Sequence, residues 1–336
     1  MRFFKTIREK HPNELVLFVI FAALFILMAI LSPDKFLSRG NLQNMGFQMP
    51  EFGLMALAMM PAILTGGMNL SIVTGSTLSA IIAGMFMSGA FSQANPVAGT
   101  VIGVLLIIGC SLLTGVVNGF FVGYIGVVAM LVTLGTRMVF EGLGLRLTKG
   151  GSVSGFPEPF NAIGAARIGP IPVNLIIFIL MVVLSYYLLE RSRWGKEVYM
   201  VGDNEVATRF SGIHTKRVLM LVYVFSGLLY GLAGVLISSR YCSAKTDYGS
   251  SYLMQAVTAV VLGGTDIMGG RGTVAGTVLA VLILQTISTG FNIYGVNRYL
   301  VNIFTGGILI AVLAVRYITG RVIDNRRIKA RQSAGK

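Results

Sequence analysis

Long apolar runs recur along this chain and constrain its fold more than any other feature. A helix needs about 20 mainly apolar residues to cross a bilayer. The clear candidates are residues 15–31, 72–90, 97–122, 173–189, 218–239, 273–290 and 299–317. The weaker candidates are residues 52–64, 127–147 and 252–262. The pattern predicts an all-α integral membrane protein with about ten transmembrane helices in one bundle.

The balance of residue types excludes a water-soluble fold. Of the 336 residues, 54% are hydrophobic and 12% are charged, whereas a soluble domain carries about 25% charged residues. We therefore expect one membrane domain over residues 1–336, with lipid as its solvent. The first apolar run is interpreted as a retained span, because residues 32–35 do not form the small-x-small cleavage site of a secretory signal.

Basic residues set the predicted orientation. The net charge is +14, and the basic side chains cluster beside apolar runs. The clusters lie at residues 2–10, 191–217 and 316–336. Lysine and arginine beside spans mark the cytoplasmic side and favour anionic lipid head groups. Ten spans starting in the cytoplasm place residues 1–14, the loop 190–217 and the tail 318–336 there. We expect two cytoplasmic termini and no nucleic-acid partner.

The sequence contains no pattern typical of a catalytic or metal centre. It has no GxSxG or HExxH motif, which would indicate a nucleophile elbow or a zinc protease. It also has no GxxxxGK[ST] loop for nucleotide phosphates. Cys110, Cys242, His11 and His214 lack the spacing of metal ligands. We therefore expect a non-enzymatic chain without a metal or cofactor of its own.

Charged side chains inside the apolar runs are few. Arg137 and Glu141 lie four residues apart in the run 127–147, so they share a helix face. We interpret them as an ion pair near the membrane interface. A proton relay would need several carboxylates or histidines deep in the bundle. An ion-coupled secondary carrier is therefore the weaker alternative to an ATP-driven system.

Glycines punctuate the runs in two ways. Within spans they recur at small spacings, as at Gly115 in one run and Gly227 in another, which lets helix backbones approach closely in lipid. Between spans, one short motif repeats at an offset of 197 residues. Gly66-Gly67-Met68-Asn69 recurs as Gly263-Gly264-Thr265-Asp266. Six predicted spans separate the copies, which implies parallel repeats, although inverted repeats are also common in transporters.

Glycine-interrupted segments in two halves of a transporter indicate its working centre. Uncharged polar side chains near them can offer hydrogen bonds to solute hydroxyls at low desolvation cost. Each such side chain can also simply bridge two helices. The candidate pathway residues are Gly66, Gly67, Asn69, Ser71, Asn118, Thr133, Thr136, Gly263, Gly264 and Asp266.

The loop 190–217 contains a short predicted surface helix. Asp203 or Asn204 can cap its start, and Gly212 can end it in a left-handed conformation. The helix is expected over residues 204–211. It is either a turn in a solvated loop or a docking element that fits a groove on a partner protein.

Four motifs resemble those of permease subunits from ribose-type ABC importers, the class that carries simple sugars and autoinducer 2. The first is Gly202-Asp203-Asn204-Glu205-Val206-Ala207 followed by Ser211-Gly212-Ile213. The others are residues 64–72 (LTGGMNLSI), 133–136 (TLGT) and 259–273 (AVVLGGTDIMGGRGT). The segment 243–254 is most similar to one of the two sister permeases of autoinducer-2 importers. Asn69 stands where the family usually has aspartate.

This resemblance implies a division of labour in a bacterial inner membrane. The chain would supply the pathway and pair with a second copy or a sister permease. Two cytoplasmic ATPase subunits would bind ATP and Mg²⁺, and a periplasmic protein would deliver the solute. The helix at 204–211 would couple the ATPases to the spans. The coupling residues implied by the motif are Gly202, Asn204, Glu205, Ala207, Ser211 and Gly212.

The sequence leaves the solute open. A neutral sugar or sugar-like molecule is the leading hypothesis. Permeases of the same family for nucleosides or branched-chain amino acids are close alternatives. A membrane enzyme or assembly scaffold is disfavoured, since the chain has no reactive cluster.

Overall fold

The computed structural model describes residues 12–297 without a break, and then residues 300, 303, 304, 306–308, 310 and 314. Residues 1–11 of the predicted cytoplasmic N-terminus, most of the predicted last span 299–317 and the basic tail 318–336 lie outside the described residues. The described part of the chain is mainly helical.

The helices carry one set of labels here. In chain order they are α1 (Pro12–Leu31), α2 (Pro33–Phe36), α3 (Arg39–Leu64), α4 (Ile72–Met87), α5 (Ala90–Ala94), α6 (Pro96–Gly119), α7 (Ala129–Thr148), α8 (Glu158–Ala165), α9 (Val173–Tyr186), α10 (Arg193–Asp203), α11 (Glu205–Phe210), α12 (Thr215–Tyr241), α13 (Tyr252–Leu262) and α14 (Val274–Ile293). Two π-helical turns, Phe120–Ile125 and Tyr187–Arg191, extend α6 and α9.

Six of the described helices are long and apolar enough to cross a membrane. They are α1, α3, α6, α9, α12 and α14, with α6 and α9 counted together with their π-helical turns. Helices α4 and α13 are apolar but shorter. Helix α7 contains three charged residues, Arg137, Glu141 and Arg146. An α-helical membrane protein is confirmed, but the predicted count of about ten spans is not.

Helix α3 begins well before the predicted run 52–64. Polar residues and Pro50 interrupt the apolar pattern in the sequence, yet Pro50 and Pro61 both lie inside the helix. Neighbouring helices make such prolines tolerable in membrane proteins. Residues 49–64 are all buried, and α3 packs against α9, α12, α13 and α14. It is therefore the central helix of the described bundle.

Glycines bring α6 and α12 into close contact, as the sequence predicts. A Cβ atom on Gly115 would lie 2.5 Å from the carbonyl oxygen of Tyr223. A Cβ atom on Gly227 would lie 2.7 Å from the carbonyl oxygen of Ser111. Any larger residue would force these backbones apart, so the small-residue interface holds the two helices together.

Four strands of two residues each depart from the all-α expectation. Strand β1 (Val153–Ser154) pairs antiparallel with β4 (Ser243–Ala244), and β2 (Arg167–Ile168) pairs antiparallel with β3 (Ile171–Pro172). Segments this short carry no hydrophobic periodicity that a sequence pattern can reveal. The β1–β4 pair ties the chain after α7 to the end of α12.

The loop 190–217 is more ordered than predicted. It contains two helices, α10 and α11, where the sequence indicated one short helix over 204–211. Ser192 caps α10 by accepting a hydrogen bond of 3.1 Å from the nitrogen of Gly195. Val198 and Val201 of α10 are buried, so this helix is packed against the bundle and is not a solvated loop.

Candidate functional site

A polar cavity of about 190 Å³ lies between α3, α12, α13 and α14. Its wall is mostly uncharged amide, hydroxyl and aromatic groups. The lining residues are Gln48, Phe52, Arg240, Tyr241, Ser251, Tyr252, Gln255, Leu284, Gln285, Ser288 and Asn292. A polar cleft among apolar helices is the kind of site where a membrane protein binds a solute.

Helical spacing brings these side chains to one place. On α3, Gln48 and Phe52 lie four residues apart, and on α13, Tyr252 and Gln255 lie three apart. On α14, residues 285, 288 and 292 follow the same periodicity. Residues three or four apart share a helix face, so each helix presents one polar stripe inside an otherwise apolar sequence.

A buried ion cluster lies at the wall of the cavity. The Nε atom of Arg240 donates to Oε1 of Glu51, and its Nη2 atom donates to Oε2 at 2.8 Å. The phenol of Tyr252 donates to the same Oε2 atom at 3.0 Å. Glu51 is fully buried and Arg240 is 23% exposed. The bidentate geometry cancels the two charges locally, so the wall presents little net charge.

Tyr241 holds the outer side of the Arg240 guanidinium. The guanidinium carbon lies 4.6 Å from the centre of the Tyr241 ring, and Nη2 donates to the Tyr241 hydroxyl at 3.2 Å. A cation over an aromatic face is stabilised by the ring quadrupole. Arg240 is therefore fixed from two sides, by a carboxylate and by a ring.

Several cavity amides and hydroxyls remain free to bind. The side chains of Gln48, Gln255, Ser288 and Asn292 form no hydrogen bond with another group in the part of the chain that the structure describes. Gln285 uses its amide nitrogen to bind the Thr289 hydroxyl at 3.2 Å. Each free amide offers donors and acceptors together, which suits a ligand with several hydroxyl groups.

A second polar cluster contains five of the predicted pathway residues, and its groups bind one another. Asn69 donates to the Ser226 hydroxyl at 3.0 Å and accepts from the Ser71 hydroxyl at 2.9 Å. Asn118 donates to the Ser71 hydroxyl at 2.7 Å and accepts from Thr136 at 2.8 Å.

Thr133 completes this network by donating to the carbonyl oxygen of Met68 at 2.8 Å. Asn69, Ser71, Asn118 and Thr133 are fully buried. Because their polar atoms are satisfied internally, the network bridges α4, α6, α7 and α12 and has few groups left for a solute. The structure thus brings these predicted residues together, in a helix-bridging arrangement.

The two copies of the repeated glycine motif meet at one end of the bundle. Gly66 follows α3, and Gly263, Gly264 and Asp266 follow α13. Asp266 accepts from the nitrogen of Met268 at 3.0 Å within its own loop. Its loop contacts the first motif, because a Cβ atom on Gly66 would lie 3.2 Å from the Met268 carbonyl oxygen.

Gly202 of α10 fits into the same junction. A Cβ atom there would lie 1.8 Å from the carbonyl oxygen of Leu64 and 2.5 Å from the nitrogen of Gly270. A Cβ atom on Gly269, whose φ is +92°, would lie 2.7 Å from the nitrogen of Gly66. Backbone packs directly on backbone here, so α10 and both glycine loops are in rigid contact.

Polar bonds reinforce this contact between α10 and the chain before α14. The Tyr199 hydroxyl donates to the carbonyl oxygen of Gly272 at 2.8 Å. The carboxylate of Glu190 accepts from the nitrogen of Val274 at 2.8 Å. Burial, and then the charge of Glu190, raise the pKa of the Tyr199 phenol well above its ordinary value. Tyr199 therefore stays protonated and keeps its donor.

Helix α11 forms where the sequence predicts a short helix. Asn204 caps it by accepting from the nitrogen of Ala207 at 2.9 Å, and Gly212 follows it with a φ of +84°. Glu205, Ala207 and Ser211 are exposed. Two apolar side chains also face outwards, since Val206 is 65% and Phe210 is 88% exposed.

Two further sequence interpretations concern charge and metals. Arg137 and Glu141 form no ion pair with each other among the residues that the structure describes, so that prediction is wrong. The described residues also contain no group of three or more histidine, cysteine, aspartate or glutamate side chains that could hold a metal ion.

Comparison with known proteins identifies the family. Residues 41–313 match the family described as "Branched-chain amino acid transport system / permease component". The chain belongs to this permease family. Among solved structures, no match was found.

Three relatives of this permease have named activities. The ribose import permease protein RbsC of Bacillus subtilis (strain 168) is 38% identical over 93% of this chain and 94% of its own length. The D-allose transport system permease protein AlsC of Escherichia coli (strain K12) is 31% identical over 91% of this chain and 94% of its own length. The autoinducer 2 import system permease protein LsrD of Yersinia enterocolitica is 34% identical over 80% of each chain. The resemblance to ribose-type and autoinducer-2 importer permeases is confirmed.

Sequence analysis of the permease missed the ion cluster and the cavity. Glu51 lies one residue before the predicted run 52–64, and Arg240 lies one residue after the run 218–239. Both therefore lie outside the predicted runs. One signal could have found them. Each predicted run has a charged residue directly beside it, and a slightly longer run would include that residue in the span, where charged side chains usually have a function.

Proposed function

We propose that this permease forms the transmembrane pathway of an ATP-driven ABC importer that carries an uncharged, sugar-like solute into a bacterial cell. The supporting observation is the cavity between α3, α12, α13 and α14, whose free amides and hydroxyls match a solute rich in hydroxyl groups. The relatives named for import of ribose, D-allose and autoinducer 2 support the same solute class.

In this proposal the end of the bundle that carries α10 and α11 faces the cytoplasm. The basic loop 190–217 supports this orientation through the positive-inside rule, and both termini then lie in the cytoplasm of a cell with an inner membrane. Two ATPase subunits, which bind ATP and Mg²⁺, dock on Asn204, Glu205, Ala207 and Ser211. A second permease copy or a sister permease completes the pathway, and a periplasmic protein delivers the solute.

The junction at Gly202 supplies a mechanical route from the ATPases to the cavity. Helix α3 ends at Leu64 and α13 ends at Leu262, and the loop between α13 and α14 packs on both Leu64 and α10. The same two helices carry Gln48 and Tyr252 of the cavity wall. A displacement of α11 and α10 is thus expected to tilt two walls of the cavity together.

A branched-chain amino acid is the second candidate solute, because the family description names that class. An amino acid zwitterion could use one charge of each sign, and Arg240 with Glu51 supplies both. These two groups already form an ion pair with each other, however, with a distance of 2.8 Å between Nη2 and Oε2. Separating them would cost several kcal/mol, which favours the uncharged solute.

Uptake measurements test the proposal directly. In a bacterium whose copy of this chain is deleted, we expect loss of uptake of D-ribose, D-allose or autoinducer 2, with uptake of L-leucine unchanged. Expression of the intact chain restores the lost rate, and an empty vector does not. Unchanged uptake of all three sugar-like solutes would overturn the proposal, and selective loss of L-leucine uptake would establish the second candidate.

A further inference from the structure

We propose that Glu51 makes the cavity selective for uncharged over anionic solutes by cancelling the charge of Arg240. The inference rests on the proposed function, because it names the solute class of the same pathway. Glu51 is a specificity-determining residue that acts through Arg240; it lies behind the wall and is not among the lining residues.

The first argument for this proposal is the arrangement of charge around Arg240. Arg240 lines the cavity and is partly exposed, whereas Glu51 is fully buried. Arg240 alone would attract carboxylates and phosphates, for which its guanidinium is well suited. Two hydrogen bonds to Glu51 and one to the Tyr241 hydroxyl use the donors of its Nε and Nη2 atoms, and the Glu51 carboxylate balances its charge. The cavity therefore contains a cationic group whose charge is already neutralised.

The second argument is the set of uncharged polar groups in the cavity wall. Gln48 on α3, Gln255 on α13 and Ser288 on α14 reach the cavity from three sides without a hydrogen-bond partner among the described residues. Hydroxyl groups, which donate and accept, pair with amides of this kind. Phe52 and Leu284 add apolar surface to the same wall, which suits the C–H face of a ring.

The cavity has room for a small solute. Its volume of about 190 Å³ is far above the roughly 10–15 Å³ that one water molecule needs on the same measure. A single monosaccharide-sized molecule can replace ordered water and exchange its hydrogen bonds one for one.

A thiol placed in the cavity can report its charge independently of transport. We choose Ser288→Cys in the whole importer in membranes, with Cys110→Ala and Cys242→Ser removing the native thiols. The measured quantity is the ratio of reaction rates with an anionic sulfonate and a cationic trimethylammonium methanethiosulfonate reagent. Ser88→Cys, at an exposed position after α4, is the matched control outside the cavity.

Glu51→Gln should raise the anion-to-cation rate ratio of the thiol at position 288 and leave the ratio unchanged at position 88. Exposing one positive charge changes each rate about threefold, or their ratio about tenfold, even with the screening of water. Adding Arg240→Gln to Glu51→Gln should return the ratio to its starting value. An unchanged ratio at position 288 in Glu51→Gln would overturn the assignment of charge.

Protection by solutes gives a second measurement that needs no Glu51 variant. At least one of D-ribose, D-allose and autoinducer 2 should slow the reaction at position 288, whereas ribonate, the carboxylate derivative of D-ribose, should not. Equal protection by ribonate, or no protection by any of the three solutes, would overturn the ligand class. These readouts use no uptake, so their failure is distinguishable from a failure of the proposed import function, which the deletion strain reports.

Discussion

The main-chain nitrogen of Gly270 donates a hydrogen bond of 2.9 Å to the carbonyl oxygen of Leu64. This bond joins the end of the central helix α3 to the glycine loop that precedes α14. Gly202 packs against both of its atoms. The end of α3, the glycine loop and α10 are far apart in the sequence but meet at this one contact. A single added methyl group is therefore enough to perturb it.

Gly202→Ala should disrupt this junction. Its Cβ atom would lie 1.8 Å from the Leu64 carbonyl oxygen, so the backbones must separate, at a cost of about 1–3 kcal/mol for overpacking. We expect a lower melting temperature of the solubilised protein and a reduced uptake rate. Gly135→Ala is the control, because nothing lies within 4 Å of that Cβ position. Equal melting temperatures for the two variants would contradict the packing described.

Asn118→Ala should destabilise the permease without changing its affinity for solute. The substitution removes the hydrogen bonds to the Ser71 hydroxyl and to Thr136, and each such bond contributes about 0.5–1.5 kcal/mol. Thermal unfolding and the D-ribose concentration for half-maximal uptake measure the two effects. Asn44→Ala, at an exposed position within α3, should be neutral. A large change in the half-maximal concentration would show that the network touches solute.

Gln255→Leu should weaken solute binding within the cavity. Loss of one amide hydrogen bond costs about 1.4 kcal/mol, which raises the half-maximal D-ribose concentration about tenfold. Met254→Leu is the matched control, because the neighbouring Met254 side chain is 55% exposed and does not line the cavity. An unchanged half-maximal concentration in Gln255→Leu would show that this amide does not bind the solute.

Glu205→Lys combined with Ala207→Trp should prevent docking of the ATPase subunits. Both side chains are exposed on α11, so the change reverses charge and adds bulk without burying either. We expect normal membrane insertion, loss of ATPase co-purification and loss of uptake. Glu158→Lys, an exposed charge reversal on α8, controls for charge alone. Normal co-purification and uptake in the double variant would reject α11 as the coupling helix.

Tyr252→Phe should weaken the ion cluster. The phenol donates to the buried carboxylate of Glu51 at 3.0 Å, and hydrogen bonds to charged groups contribute about 1.5–3 kcal/mol. The melting temperature of the solubilised protein measures the loss. Tyr187→Phe is the control, since the Tyr187 ring is 63% exposed. A melting temperature equal to that of the control would mean that the cluster is stable without the phenol.

The sequence predicted features that depend on local chemistry. The cap at Asn204, the left-handed Gly212 and the glycine contacts of α6 with α12 follow from residue type and spacing, and the structure contains each of them. Such features need no knowledge of which helices are neighbours.

Features that depend on helix neighbours could not be predicted. The bond between Glu51 and Arg240 joins residues 189 positions apart, and no local pattern encodes that distance. The true start of α3 was hidden because Pro50 and Glu51 interrupt its apolar run, and only burial by other helices makes them acceptable. The predicted span count is not confirmed for three reasons. Helices α4 and α13 are shorter than the other apolar helices, the charges of α7 lower its hydropathy, and most of the run 299–317 lies outside the described residues.

The pairing of Glu51 with Arg240 has a consequence for biosynthesis. Ribosomes add about 5–20 residues per second, so the carboxylate is made roughly 10–40 seconds before its guanidinium, 189 residues later. During that interval an ionised Glu51 has no counter-charge, and burying it in lipid is costly. We therefore expect α3 to complete its packing only after α12 has joined the bundle, or to hold Glu51 protonated until then.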